Sequence, residues 1–130
     1  MKTKIINPWK WQDALGFAQA VEVKHFESVL YCSGQTAMSA EGQPVDSSMA
    51  DQITLSLQNL ETVIAQAGYA AANISRLNIY TTSIADFFAA YGNYVQWLRK
   101  HQLTPSSTLV EVRALAFPEL KVELEATVVK

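Results

Sequence analysis

The chain has 130 residues, 49% of them hydrophobic and 17% charged, with a formal net charge of −2. Ordinary soluble domains carry about 25% charged residues, so a single domain of this length, spanning 1–130, is expected to hide part of its surface in an oligomer. Ten Lys+Arg against twelve Asp+Glu, with no cation between Lys24 and Arg76, exclude the phosphate-neutralising surface that nucleic acid requires, and the lone Cys32 forms no internal disulfide.

The N-terminus, Met1-Lys2-Thr3-Lys4, starts like the charged region of a signal peptide, but Asn7, Pro8, Lys10, Gln12 and Asp13 interrupt any apolar core. Together with the single cysteine, this predicts a cytoplasmic protein. From Phe17 to Val23 the chain alternates, and a second β-rich run from Phe26 to Cys32 ends at Ser33-Gly34. The two read as a hairpin-like pair. Residues 39–47 hold the turn formers and predict a surface loop.

The period then changes. Met49, Ile53, Leu57, Leu60, Ile64 and Ala67 recur at spacings of three and four, predicting a helix capped by Asp46, Ser47 or Ser48 and stopped at Gly68. Alternation returns over Ile74–Thr82, a strand. A second helix is predicted from Ile84 to His101, with Phe87, Tyr91, Tyr94 or Val95, and Leu98 inward and Arg99-Lys100 at its C-terminal end. Pro105 follows, then β-rich runs over Leu109–Ala114 and Leu120–Val129. The order strand, strand, helix, strand, helix, strand, strand predicts a two-layer α+β sandwich, a mixed sheet with two helices on one face.

No paired-Cys metal spacing, phosphate-binding Gly-rich loop or Gly-x-Ser-x-Gly elbow is present, so no metal or organic cofactor is expected. Three features draw attention. Cys32-Ser33-Gly34-Gln35 closes a strand with a Gly that lets the backbone approach a partner. Pro105-Ser106-Ser107-Thr108 sets three consecutive hydroxyls at a strand's start. Glu123 and Glu125 share one face of the last strand, a pattern compatible with either a solvated face or a ligand-lined cleft.

These features, with Asp51-Gln52, Asn59-Leu60, Ala67-Gly68, Ile79-Tyr80-Thr81 and Val110-Glu111-Val112 in the same order, resemble the Rid family (YjgF, or endoribonuclease L-PSP-like), over residues 16 to 129. The resemblance implies a chorismate-mutase-like subunit, a homotrimer, and small-molecule clefts between subunits. In its best-known branch, enzymes hydrolyse reactive enamines and imines to keto acids and ammonia, and a Pro-x-Arg-Ser motif grips the substrate carboxylate. Here Ser107 stands at the Arg position and Thr108 follows it. A charged bidentate fork is thereby replaced by a neutral hydroxyl, forfeiting about 1.5–3 kcal/mol of hydrogen bonding to a carboxylate.

By the same resemblance, Phe17 replaces a ligand-side Tyr, Tyr91 falls near a ligand-contacting Asn, and Leu109 replaces a common Cys. Glu123 corresponds to the water-activating glutamate, and Ser33-Gly34 to a backbone binding site. The expected site is therefore Glu123 as the catalytic residue, positioning or deprotonating water as general base, with Phe17, Ser33, Gly34, Tyr91, Ser107, Thr108 and Leu109 around the substrate. The expected activity is hydrolysis of a carbon–nitrogen bond in a substrate without a free carboxylate there. A non-catalytic metabolite-binding or protein-interaction trimer is the other reading.

Overall fold

The computed structural model describes residues 1–130. Its strands are β1 (Lys2–Ile6), β2 (Ala20–Lys24), β3 (Val29–Tyr31), β4 (Ile74–Thr81), β5 (Ser106–Glu111) and β6 (Val122–Val129), and its helices α1 (Met49–Gln66), α2 (Ile84–Ala89) and α3 (Tyr91–Lys100). Four strands form a mixed sheet in the order β3-β6-β4-β5. Strand β4 pairs parallel with β5 across the α2–α3 crossover, and β6 runs antiparallel to both β4 and β3. The predicted two-layer α+β sandwich is the observed one.

Helix α1 forms for the reasons its sequence states. Ser48 caps it by accepting from the Asp51 N–H at 3.2 Å, and Gly68 takes the left-handed conformation after its end (φ +79°). Met49, Ile53, Leu57, Leu60 and Ile64 are all buried, and each contributes about 1.5–3 kcal/mol relative to exposure. They pack on Val122, Leu124, Ala126 and Val128, the inward face of β6, and on Leu77 and Ile79 of β4. Gln52, fully buried, ties the helix start to the chain before β6. Its amide donates to the Glu119 carbonyl at 2.8 Å, and its oxygen accepts from the Lys121 N–H at 2.8 Å.

Three expectations are corrected. The runs around β2 and β3 do not pair with each other: β2 pairs with β1, in the register Lys2↔Lys24 to Ile6↔Ala20, and β3 pairs with β6. The residue at the bend, His25, is left-handed (φ 56°) and sends β3 to the other sheet. The second helix is two helices, α2 and α3, meeting at Ala90 (φ −106°, ψ 13°). The Ala90 N–H still reaches the Asp86 and Phe87 carbonyls, so the helix steps sideways rather than ending. Strand β5 starts at Ser106 and ends at Glu111, earlier than the apolar run suggested, because the hydroxyl-bearing residues are part of the parallel ladder with β4.

Candidate functional site

The sheet divides the expected site residues between its two faces. In the register of β4 and β5, Ser107 lies beside Leu77 and Leu109 beside Ile79, on the helix side, while Thr108 lies beside Asn78 on the opposite side. Strand β6 repeats the alternation. Its Val122, Leu124, Ala126 and Val128 are buried under the helices, and Glu123, Glu125 and Thr127 are half-buried on the outer face.

On the helix side, four of the expected residues meet. Phe17, Tyr91, Ser107 and Leu109, with Leu15, Ile79, Phe88 and Tyr94, line a cavity of about 120 Å³. The segment carrying Leu15 and Phe17 is held there by a bridge between Ala18 and Ser106, in which the Ala18 N–H donates to the Pro105 carbonyl at 2.8 Å. Gly16 makes this turn with φ +86°, and a Cβ there would stand 2.8 Å from Leu98 Cδ1. The opposite wall is an aromatic cluster of Phe87, Phe88, Tyr91 and Tyr94 with ring centroids 5.3–6.1 Å apart.

No charged side chain lines this cavity. The Ser107 hydroxyl donates to the Leu77 carbonyl at 2.6 Å, and the Tyr91 hydroxyl donates to the Leu15 carbonyl. The Tyr94 hydroxyl is buried next to Ser107. Burial pushes the Tyr91 phenol up to about 12. It pushes Tyr94 higher still, with Tyr91 adding to the effect and the neighbouring Ser107 opposing it. Both phenols are therefore neutral across the physiological range.

The outer face carries the charge. Gly34 lies against Glu123 so closely that a Cβ on it would sit 2.1 Å from Glu123 Oε1. Gln35 pairs with Leu124 through both backbone bonds, at 2.7 and 2.9 Å, which pins the glycine beside the carboxylate. A recess of about 380 Å³ opens beside Glu123, between Tyr80, Glu125 and the Val112–Ala116 loop.

The two carboxylates of this recess differ in environment. Glu125 accepts from the Tyr80 hydroxyl and from Asn78 Nδ2 at 3.1 Å. These bonds hold its carboxyl below the usual range despite some burial, and Arg76 assists. Glu123 has neither bond. Burial and then the Glu125 charge push its carboxyl up. A carboxyl raised while its neighbour stays ionised is the arrangement of a proton-transfer group beside a fixed charge.

Thr108 faces this side and accepts from Arg76 Nη2 at 2.8 Å; Ser33 is exposed, its carbonyl accepting from Gln35 Nε2 at 3.3 Å. Neither lines the aromatic cavity. Leu15, Ile79, Phe88 and Tyr94 were not anticipated as cavity residues. For Tyr94 the signal was present, since it falls one turn after Tyr91 on the inward helix stripe. Asn93, between them, points away from the cavity and donates to the Ala50 carbonyl of α1 at 3.3 Å.

Fold and recesses together define a class: a small α+β subunit offering an apolar, aromatic pocket on one face of its sheet and an acidic one on the other. The chain belongs to the Rid family, since the model described as endoribonuclease L-PSP matches residues 12–130. It is similar to mitochondrial protein mmf1 of Schizosaccharomyces pombe, 31% identical over 126 residues covering 96% of this chain and 75% of that protein. TdcF of Escherichia coli, which carries the provisional name of a reactive intermediate deaminase, is 29% identical over 98% of this chain and 97% of its own. Among solved structures, the Rid protein YyfB of Yersinia pestis superposes with a TM-score of 0.87 at 30% identity over the whole of both chains. Escherichia coli TdcF with bound serine does so with a TM-score of 0.72 at 28% identity, over 88% of this chain and 87% of its own. No helix of the chain is long and apolar enough to cross a membrane.

Proposed function

We propose that the protein hydrolyses the C=N bond of small imines, or of the enamines in equilibrium with them, whose substituents carry no free carboxylate. The observation that carries this reading is Glu123, a carboxyl raised by burial and by Glu125, seated over a glycine that leaves room for nothing larger. Such a group takes a proton from water and returns it within one cycle. Water oxygen adds to the imine carbon as Glu123 takes one of its protons and passes it to the imine nitrogen, giving a neutral carbinolamine. Glu123 then takes the carbinolamine hydroxyl proton and delivers it to the nitrogen as the C–N bond breaks, so that the carbonyl forms, the amine leaves neutral and Glu123 returns to its starting state. One water is consumed, one carbonyl compound and one amine or ammonia are released, and no electron changes hands.

The site needs two chains. Ser107 and Glu123 lie on opposite faces of one sheet, on strands separated by β4, so their backbones are about 10 Å apart across the sheet alone. In the proposed assembly, a homotrimer, the aromatic cavity of one protomer holds the substrate body and Glu123 of the next supplies the proton chemistry. The exposure of Tyr31 (79%) and Val110 (41%) on the outer sheet face, with the low overall charge, supports a covered face. The relative with bound serine accommodates a carboxylate-bearing ligand; the uncharged cavity here supports a neutral one.

The absence of any cation in the cavity also suits a second reading, a trimer that binds a neutral metabolite without turning it over. Glu123→Gln separates the two. Loss of imine hydrolysis by two or more decades, with ligand binding and oligomer size unchanged, supports catalysis. Absence of wild-type turnover across neutral and amino-acid imines, with binding retained, supports the binder.

A further inference from the structure

On the reading of the aromatic cavity as the ligand pocket, we infer that it takes one benzene-sized apolar ring. The substrates are then imines or enamines that carry such a ring as a substituent, with the ring inside the cavity and the C=N group left at its entrance.

No lining side chain has a hydrogen to offer. The Ser107 hydroxyl donates to the Leu77 carbonyl and the Tyr91 hydroxyl to the Leu15 carbonyl. The Tyr94 hydroxyl has essentially no accessible surface and lies next to Ser107, so that residue borders the space with its ring alone. The rest of the lining, Leu15, Phe17, Ile79, Phe88 and Leu109, is hydrocarbon. A polar atom entering here sheds its water and gains no side-chain donor, which is a net cost. Hydrocarbon leaving water for the same space is favoured.

Size and shape narrow the hydrocarbon to a ring. The cavity measures about 120 Å³, close to the roughly 150 Å³ of an apolar cavity that stays dry and takes up benzene. Four aromatic rings border it, those of Phe17, Phe88, Tyr91 and Tyr94. Aromatic rings prefer offset or edge-to-face contact, and the rings of the cluster already meet one another at 44–74°. A flat guest therefore finds tilted partners on several sides. Phe88 lines the cavity and is 46% exposed, which puts the entrance beside it. The reacting group stays at that entrance, because Glu123 lies on the other face of the sheet and reaches the pocket only from a neighbouring protomer.

The test uses two probes of one shape, benzene and pyridine, in which a nitrogen that needs a donor replaces one CH. Affinities are read from amide chemical-shift titrations of the intact protein at mildly alkaline pH, where pyridine is uncharged. Benzene is expected to shift the Tyr91, Ser107 and Leu109 amides saturably and to bind at least about tenfold tighter than pyridine. Leu109→Trp, which sets a larger ring at a half-buried lining position, is expected to fill the space and abolish those benzene shifts. If that variant fails to fold, the benzene-to-pyridine ratio of wild type decides alone. Equal or tighter pyridine binding overturns the proposal, as does the lack of saturable benzene shifts at these amides. Benzene binding unchanged in a folded Leu109→Trp also overturns it. None of these measurements needs turnover. Benzene selectivity without hydrolysis of any imine removes the proposed reaction alone; neutral-imine hydrolysis by a protein that does not bind benzene removes this inference alone.

Discussion

Gly34→Ala probes the proposed chemistry with little disturbance of the fold. The added Cβ would stand 2.1 Å from Glu123 Oε1, 2.6 Å from Cδ and 2.8 Å from Cγ, all inside the 3.4 Å where ordinary contact begins. The obstacle is a carboxylate at the end of a flexible side chain, so the side chain moves and the backbone stays. Oε1 must retreat by about 1 Å or more, a displacement that costs roughly a hundredfold in rate when the displaced group acts on the reacting atoms. Gly34 is not among the glycines of positive φ, so alanine meets no backbone strain there. The substitution also lowers unfolded-chain entropy, a gain of about 0.4–1 kcal/mol that offsets residual crowding. The expected result is a melting temperature close to wild type and neutral-imine hydrolysis down about two orders of magnitude, followed as absorbance loss of a preformed imine. Hydrolysis within about twofold of wild type, in a protein whose Glu123 has demonstrably moved, would refute the role given to that carboxylate.

Other consequences follow from the same contacts. Because burial and the Glu125 charge raise Glu123, the acid limb of the pH–rate profile is expected to lie above the ordinary carboxylate range. Glu125→Gln removes the like charge and should move that limb to lower pH. Glu61 accepts from Trp97 Nε1 at 2.5 Å and pairs with His101 Nε2 at 2.6 Å, joining α3 to α1. Burial alone would raise its carboxyl, but these bonds and the Lys100 and His101 charges bring it below its usual value. A lowered folded-state value stabilises the protein above the unfolded value and ceases to do so as pH falls through the folded one. Glu61→Gln should therefore cost on the order of 1 kcal/mol at neutral pH by urea denaturation, and progressively less below the ordinary carboxylate range. Leu124→Ala, at a fully buried position on β6 between sheet and α1, should cost about 2–5 kcal/mol.

What the sequence reveals about this molecule follows the strength of its local patterns. Helix α1 is legible to within a residue because its stripe, its Ser48 cap and its Gly68 stop agree. Strand β6 is legible because its alternation is strict from Val122 to Val128. Strand β1 was invisible: Lys2–Ile6 is exposed throughout and takes its structure only from β2, a pairing no local pattern encodes. The assignment of β2 and β3 to different sheets is hidden for the same reason. Within the candidate site, Glu123, Gly34 and four of the cavity residues are marked by the resemblance, while their division between the two faces of the sheet is not. Tyr94 was read as core, and core it is by burial. Its place in the cavity wall emerges only once Leu15 and Phe17 are known to lie against it, a long-range arrangement that no local pattern encodes. The division of Ser107 from Thr108 is a period-two consequence of β5, available from sequence only after the strand's true start at Ser106 is known.

The central claim, an acid-equipped cleft selecting substrates without a carboxylate, is tested most directly by one comparison of rates. Hydrolysis of a neutral imine and of an amino-acid imine of similar size is measured for wild type and Ser107→Arg under identical conditions. The account predicts that wild type favours the neutral imine by at least about tenfold and that Ser107→Arg reverses the preference, because the guanidinium restores one to two decades of carboxylate binding. Equal or faster hydrolysis of the amino-acid imine by wild type, unaffected by Ser107→Arg, would contradict it.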